Sequence, residues 1–359
     1  MNYHVVLETF ASLTLQITVL ICVASWALRK KFLSADSDTC WAAVHVCILL
    51  LTVAAFFLPH LRWVTWADLD PGTNALADAI CLTTGQLCTW TWLAGALAIV
   101  AVCIAGMFRA TSLIRRAVVD DNVDDFLRGV VPTLAVSAEP IGIRVSPDDV
   151  SPFCWQFHYP CIVLPAVLKD FPAAEQAAIL RHELAHLRLQ HPLHLFLQRM
   201  VEAIYWFHPL VWLASREAAA AREFRCDRDS VHSRADVADY LRSLLRLIES
   251  PLKSPERLPA GVGFMGDTSL LSRRANALVE TLGRHETTSA AKNRAAAAAV
   301  VLTGVLCSFL WLPVNPNASR RADWSPWPTW SAHALNATGL SLRDYEVDGH
   351  RLNPREYRE

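Results

Sequence analysis

The sequence predicts a mainly α-helical membrane protein in which an α+β domain is inserted between the third and fourth of four transmembrane helices. The chain has 359 residues, 53% of them hydrophobic, and its mean hydropathy of +0.25 is too high for an ordinary soluble protein. Four uncharged stretches have about the 20 residues that cross a ~30 Å hydrocarbon core. The polar block between the third and fourth stretches contains both helix-like and strand-like sequence patterns.

The first predicted span covers residues 9–28, which contain no charged side chain. Residues 1–8 contain no Lys or Arg, whereas Arg29, Lys30 and Lys31 follow the span. A secretory signal peptide carries its positive charge before the apolar stretch. We therefore expect this helix to be retained, with its C-terminal end facing the cytoplasm.

Three further uncharged stretches, at 39–59, 88–108 and 295–313, predict the remaining spans. Their positions divide the chain into parts that differ in composition. The predicted divisions are three transmembrane helices within 1–108, a polar domain at 109–294, a fourth transmembrane helix at 295–313 and a short tail at 314–359.

The charges that flank these spans predict the orientation of the chain. The basic residues beside the polar domain are Arg109, Arg115 and Arg116 after the third span and Arg294 before the fourth. Because Lys and Arg accumulate in cytoplasmic segments, residues 109–294 are predicted to be cytoplasmic and both termini extracytoplasmic. The spans and their flanking charges thus predict the lipid bilayer of the cell (inner) membrane as a partner of this chain.

A His-Glu-Leu-Ala-His sequence occupies residues 182–186, inside an Ala-rich stretch that Pro172 and Pro192 delimit as one helix. On a helix, His182 and His186 project from the same face one turn apart, as two ligands of one Zn²⁺ require. Glu183 is offset from that face, so it suits a general base acting on water better than a third ligand.

Glu223 and Asp227 form a second pair at helical spacing, one turn apart. This spacing allows Glu223 to act as the third metal ligand while Asp227 accepts a hydrogen bond from a ligating imidazole. An exposed, charged helix face is the alternative for this stretch taken alone. Earlier in the same block, runs at 141–145 and 161–164 predict short strands.

Composition argues against several other classes of protein. The net charge of −1 and the lack of a DNA-reading motif predict no nucleic-acid partner. The ten cysteines form no Cys-x-x-Cys pair, which argues against a disulfide scaffold or a zinc ribbon. A transporter is disfavoured because the spans contain almost no ionisable residue apart from His45. The sequence indicates no oligomeric state.

Three ordered motifs, at 182–186, 206–212 and 223–227, resemble those of the BlaR/MecR-type integral-membrane zinc metallopeptidases. The resemblance implies a gluzincin-like domain in which a zinc ion is bound by His182, His186 and Glu223. It also implies that Glu183 is the general base and that Asp227 supports a ligand. The activity that it implies is zinc-dependent endopeptidase cleavage in signal transduction, with a cytoplasmic protein such as a transcriptional repressor, or the chain itself, as substrate.

This chain departs from that family at two places. His191 stands where many relatives have an Asp, and we expect it, like His194, His208 and His232, to be an ordinary polar or capping residue. The tail at 314–359 contains no Lys, so we expect it to lack the Ser-x-x-Lys motif of a penicillin-binding sensor.

Alternatives remain for the function and for two details of the site. A zinc-stabilised receptor or scaffold without activity is the rival to an enzyme, although a structural zinc site has no use for Glu183. Arg273 and Arg274 are a candidate self-cleavage site, for which a basic membrane anchor or a helix surface is the favoured alternative. His232 and Tyr240 are weak candidates for stabilising the oxyanion.

The predicted orientation can be tested with reporter fusions. A reporter fused after residue 118 should report the cytoplasm, and one fused at residue 359 should report the outside, because basic residues flank the cytoplasmic block. The reverse pattern of reporter signals would contradict the orientation.

Overall fold

The computed structural model describes residues 3–29, 37–57, 61–62, 70–119, 141–148, 150–157, 159–231, 233–249, 268–283, 290–312 and 337. The helices are α1 (Tyr3–Arg29), α2 (Asp38–Phe57), α3 (Pro71–Arg116), α4 (Ala173–Arg188), α5 (His191–Ile204), α6 (Pro209–Ser230), α7 (Arg234–Glu249), α8 (Thr268–Gly283) and α9 (Ala290–Ser308). The strands are β1 (Leu61–Arg62), β2 (Gly142–Ser146), β3 (Phe153–Trp155), β4 (Cys161–Pro165) and β5 (Leu310–Trp311). Lys30, Lys31, His232 and nearly all of the predicted tail lie outside these residues.

Three of the described helices are long and apolar enough to cross a membrane, namely Val6–Leu28, Asp38–Ala55 and Pro71–Arg116. They correspond to the first three predicted spans and agree with a membrane protein. The fourth predicted span contains the shorter apolar helix Ala295–Ser308. This helix has fewer than the about 20 residues that are needed to cross a bilayer. The division of the chain into domains stays a prediction.

The third span is longer than the sequence predicts, since the helix starts at Pro71 and not near residue 88. Asp70 caps this helix by accepting hydrogen bonds from the backbone N–H of Thr73 at 3.0 Å and from its hydroxyl at 2.6 Å. Pro71 suits the first helical position because no intrahelical bond needs its missing N–H. These start signals place residues 71–87, which precede the predicted third span, in the same helix.

The membrane helices and the domain that follows them share one apolar core. Buried residues of α1 and α2, such as Ile17 and Ile48, pack in the same cluster as Val211 and Ala218 of α6 and Val300 of α9. Helix α6 is Ala-rich on this side, so its backbone approaches the spans closely. The helix that carries the second sequence motif is therefore held directly by the membrane part.

A three-stranded sheet in the order β2–β4–β3 stands beside α4. Strand β4 is buried along its whole length and pairs in parallel with β2 and antiparallel with β3. Its residues Ile162 and Leu164 pack against Leu180 and Leu184 of α4. The strands predicted at 141–145 and 161–164 are thus confirmed to within one residue, and the short strand β3 is an addition.

The C-terminal end of helix α3 contacts this sheet. Immediately beyond the helix, Val118 exchanges two backbone hydrogen bonds of 2.9 Å with Val145 of β2. Arg144 donates a further hydrogen bond of 3.2 Å to the carbonyl oxygen of Ile114. The end of the third span is thus hydrogen-bonded directly to the sheet.

Helix α3 also packs against the turn between α5 and α6. The Trp206 indole donates to the Trp92 carbonyl oxygen at 3.2 Å, and the Trp92 indole donates to the Ile204 carbonyl oxygen at 2.7 Å. Gly95 makes this approach feasible, because a Cβ atom at that position would lie 2.1 Å from the Trp206 ring.

Gly95→Ala should therefore destabilise the protein by about 1–3 kcal/mol, the usual cost of overpacking a tight contact. Thermal unfolding of the detergent-extracted protein measures the change. Gly304→Ala is the matched control, since its Cβ would meet Cys47 at an ordinary 3.5 Å. Equal stability of the two variants would contradict the packing argument.

Candidate metal centre

The His182–His186 motif lies on α4, as the sequence predicts. The helix ends at Arg188, and Gln190 then adopts a left-handed conformation with φ of 56° before α5 begins with Pro192 in its first turn. The Nε2 atoms of His182 and His186 approach to 3.2 Å. Glu183 is buried beside them, with 8% of its surface exposed.

Helix α6 brings the second motif to the same place. Oxygen atoms of Glu223 lie 3.5 Å from His182 Nε2 and 3.6 Å from His186 Nε2. Asp227, one turn later, lies on the opposite side of the His182 ring, with Oδ1 3.1 Å from Nδ1. The structure thus assembles all five residues that the sequence predicts for the site.

The spacing of the candidate ligands fits a tetrahedral ion. Zinc–ligand bonds of about 2.0–2.1 Å place neighbouring ligand atoms about 3.3–3.4 Å apart. The three separations among His182, His186 and Glu223 lie within a few tenths of an ångström of that value. Both histidines present Nε2 to the shared space, while Asp227 accepts from Nδ1 of His182 and so orients its ring.

The charges of the site also fit a divalent cation. Glu183, Glu223 and Asp227 are carboxylates at the site, and Arg274 is the guanidinium in direct contact with the last two. When His182 gives up its proton to act as a ligand, the ionised Glu223 and Asp227 carry two negative charges against the one positive charge of Arg274. A bound cation would offset the remaining negative charge, and buried charges require such compensation.

Arg274 is the main participant that the sequence did not predict. It is buried on α8 and donates two hydrogen bonds to Asp227, at 2.8 and 2.7 Å. It also approaches Glu223 at 2.9 Å and donates to the Tyr240 hydroxyl at 2.6 Å. In the sequence it looks like one more basic residue, and only the packing of α8 on α6 reveals its partners.

These contacts argue against Arg273 and Arg274 as the candidate self-cleavage site. Both residues lie within α8, so their backbone is helical and not extended. The favoured alternative describes Arg273, which is largely exposed beside Glu217 and the ring of Phe224. It does not describe Arg274, whose side chain is enclosed by acidic partners.

Two further expectations need correction. Tyr240 is not placed to stabilise an oxyanion, because its hydroxyl lies 2.9 Å from Nδ1 of His182, behind the ring, and donates to Asp227 at 2.6 Å. His191 is no ordinary capping residue, because its ring is buried between His186 and Asp38 of α2. Tyr240 thus contacts Nδ1 of His182, and His191 contacts Nδ1 of His186. In both candidate ligands this is the ring nitrogen that points away from the shared space.

Burial and neighbouring charges shift the pKa values in opposite directions across the site. Burial would lower the pKa of His182, but its hydrogen bonds with Asp227 and Glu223 raise that pKa to about 9. Burial raises the pKa of Glu183 to about 7. Burial opposes ionisation of Glu223, yet Arg274 and the two histidines hold its pKa well below the usual value. At His186 the effect of burial exceeds that of the Glu223 charge, and the pKa of His186 is held well below its usual value.

The pKa values of Glu183, Glu223 and His186 suit proton transfer and cation binding at neutral pH. A carboxyl group with a pKa near 7, such as Glu183, both accepts and returns protons readily at that pH. Glu223 stays ionised and His186 stays neutral, which are the forms in which they ligate a metal.

A cavity of about 360 Å³ opens onto these residues. Its lining is mostly apolar and includes residues of α3, β3 and α5. Val100, Ile104 and Met107 contribute from the third span, and Phe157 and Phe196 from the domain. The site therefore faces an apolar space that begins at a membrane helix.

Comparison with known proteins adds two findings. A family model described as BlaR1 peptidase M56 matches residues 7–278. The protein named Regulatory protein BlaR1 from Bacillus licheniformis is 37% identical over 82 residues, which amount to 23% of this chain and 14% of that protein. The aligned segment thus represents a small part of that relative.

Zinc binding at neutral pH should release about one proton per chain, because His182 is protonated below its pKa of about 9 and must lose that proton to ligate. The apparent zinc affinity should accordingly rise with pH up to about 9, above which His182 is already neutral. Titration calorimetry in buffers of different ionisation enthalpy measures the proton count.

Asp227→Asn removes a carboxylate that raises the pKa of His182, so it should reduce the proton release. Asp229→Asn, a change on the same helix at a residue that pairs with Arg225, should leave the release as in the unmodified protein. A zinc affinity that does not depend on pH would contradict this account of His182.

Proposed function

This chain belongs to the BlaR1 peptidase M56 family, and we propose that it is a membrane-embedded zinc-dependent endopeptidase acting in signal transduction. M56 peptidases are metallopeptidases. The proposed substrate is a cytoplasmic protein such as a transcriptional repressor. The proposed orientation places residues 109–294 in the cytoplasm and both termini outside.

One observation carries the proposal. His182, His186 and Glu223 converge with the separations of a tetrahedral ligand set, and a buried glutamate, Glu183, stands beside them. Three protein ligands leave the fourth position of a zinc ion open for water or substrate, which distinguishes catalytic from structural sites.

Zinc held at such a site supplies Lewis-acid chemistry that polarises a carbonyl group and acidifies water. The proposed role of Glu183 is to accept a proton from the attacking water and to pass it to the amine that leaves. Its pKa of about 7 suits both steps. Asp227 holds the His182 ring in place, and Arg274 neutralises Asp227 and Glu223.

The cavity and the sheet support a polypeptide substrate with apolar side chains. Among the described residues, strand β3 is at one edge of the sheet. Its residues Phe153 to Trp155 line the cavity beside the candidate ligands. An extended peptide adds to such an edge by backbone hydrogen bonds and places alternate side chains in pockets. The apolar lining favours hydrophobic side chains at those positions.

The membrane part supports a site of action close to the bilayer. Val100, Ile104 and Met107 of the third span line the same cavity as His182 and Glu183. A substrate segment in this cavity would therefore contact α3 directly. This arrangement suits a peptidase whose activity responds to events in the membrane.

Glu183→Gln should lower peptidase activity by about 10²–10⁴-fold, the usual contribution of a general base, and should leave zinc bound. Cleavage of casein and of apolar fluorogenic peptides by detergent-extracted protein measures activity, and elemental analysis measures zinc. About one zinc ion per chain is expected, and Glu223→Ala should weaken its retention.

Glu175→Gln is the matched control, because Glu175 is also a buried glutamate of α4 but pairs with Arg246 at 2.9 Å. It should retain activity. Full activity in Glu183→Gln would contradict the assignment of the base. Bound zinc without cleavage of any substrate would favour the rival interpretation, a zinc-stabilised receptor or scaffold.

A further inference from the structure

We propose that Asp38, in the first turn of the transmembrane helix α2, acts through His191 to fix the ring tautomer of the candidate zinc ligand His186. The two residues form a positioning pair that joins the membrane part to the metal centre. The inference rests on the proposed function, because it takes His186 as a zinc ligand.

The three side chains form a continuous row. Oδ2 of Asp38 lies 3.2 Å from Nε2 of His191, and Nδ1 of His191 lies 3.0 Å from Nδ1 of His186. Asp38 and His191 are almost fully enclosed, with 5% and 3% of their surfaces exposed. Water therefore has little access to replace either hydrogen bond.

The placement of protons follows from which atoms can donate. An ionised carboxylate accepts only, so His191 donates from Nε2 to Asp38. Nδ1 of the neutral His191 ring is then an acceptor, and the hydrogen between the two facing Nδ1 atoms belongs to His186. This leaves the lone pair of His186 on Nε2, the atom that faces His182 and Glu223.

The same result follows from the metal. An imidazole that ligates through Nε2 keeps its proton on Nδ1, and that N–H needs an acceptor to orient the ring. Cys226 also approaches Nδ1 of His191, at 3.3 Å, but a thiol is a weak hydrogen-bond donor and competes poorly with an imidazole N–H.

The two candidate histidine ligands are thus oriented by carboxylates at different distances. His182 donates directly to Asp227 on α6. His186 reaches its carboxylate through one more ring, and that carboxylate is on α2. A shift of α2 relative to α4 would break the row and leave the Nδ1 proton of His186 without its acceptor.

Zinc affinity of detergent-extracted protein, measured by competition with a chromophoric chelator, tests the proposal. Asp38→Asn should weaken zinc binding about tenfold and His191→Leu about 10–100-fold, the usual range for residues that orient ligands. The double variant should bind zinc no more weakly than His191→Leu alone, because Asp38 acts only through His191. Asp38→Glu, which keeps the carboxylate, should recover most of the affinity that Asp38→Asn loses.

His194→Gln is the matched control, since His194 lies one turn after His191 on α5 and near Asp38 but outside the row. It should bind zinc normally. The visible spectrum of the cobalt-substituted protein should change in Asp38→Asn and not in His194→Gln, because only the former alters the orientation of a ligand.

Several outcomes would overturn the proposal. Unchanged zinc affinity in Asp38→Asn, or losses that add in the double variant, would show that Asp38 does not act through His191. Two zinc ions per chain, one of them lost in His194→Gln, would show that Asp38, His191 and His194 bind a second metal ion. If the unmodified protein bound no zinc at all, the proposed function itself would fail, which separates the two hypotheses.

Discussion

The pairing of Arg274 with Asp227 is the interaction on which the arrangement of the site depends. It joins α8 to α6 by two parallel hydrogen bonds, and both side chains are almost fully buried. Asp227 in turn holds His182, while Arg274 also faces Glu223. Removing one partner of such a buried pair typically costs about 3–5 kcal/mol, because the other charge is left uncompensated. The position and the charge state of the candidate ligands thus depend on one ion pair between helices that are distant in sequence.

The second constraint is that the membrane part and the site share helices. One side of α6 packs with α1 and α2 in the apolar core, and the same helix carries Glu223 and Asp227. Helix α3 continues through Val118 into the sheet beside α4 and lines the cavity. Asp38 of α2 completes the connection through His191. Because packed protein interiors transmit strain, a displacement of the spans would act on the helices that carry the candidate ligands.

Much of the site follows from local periodicity. His182 and His186, and likewise Glu223 and Asp227, are four residues apart, so a helix alone places each pair on one face. Pro172 precedes the first of these helices and Pro192 starts the next one, as their covalent geometry requires. Arg274, Tyr240 and the His191–Asp38 pair follow from no such rule. Their partners are 47, 58 and 153 residues away, so no pattern within a short window indicates them.

The sequence by itself determined that this is a membrane protein, which family it resembles, and which four side chains would converge with Glu183. It could do so because hydrophobic length and helical spacing are local properties of the chain. Tertiary structure decided which polar residues stabilise those side chains. Arg273 and Arg274 are chemically identical neighbours, yet one is largely exposed while the other is enclosed by Asp227 and Glu223. That difference depends on how α8 packs against α6, because successive residues of a helix face directions about 100° apart and only the packing selects the one that is buried.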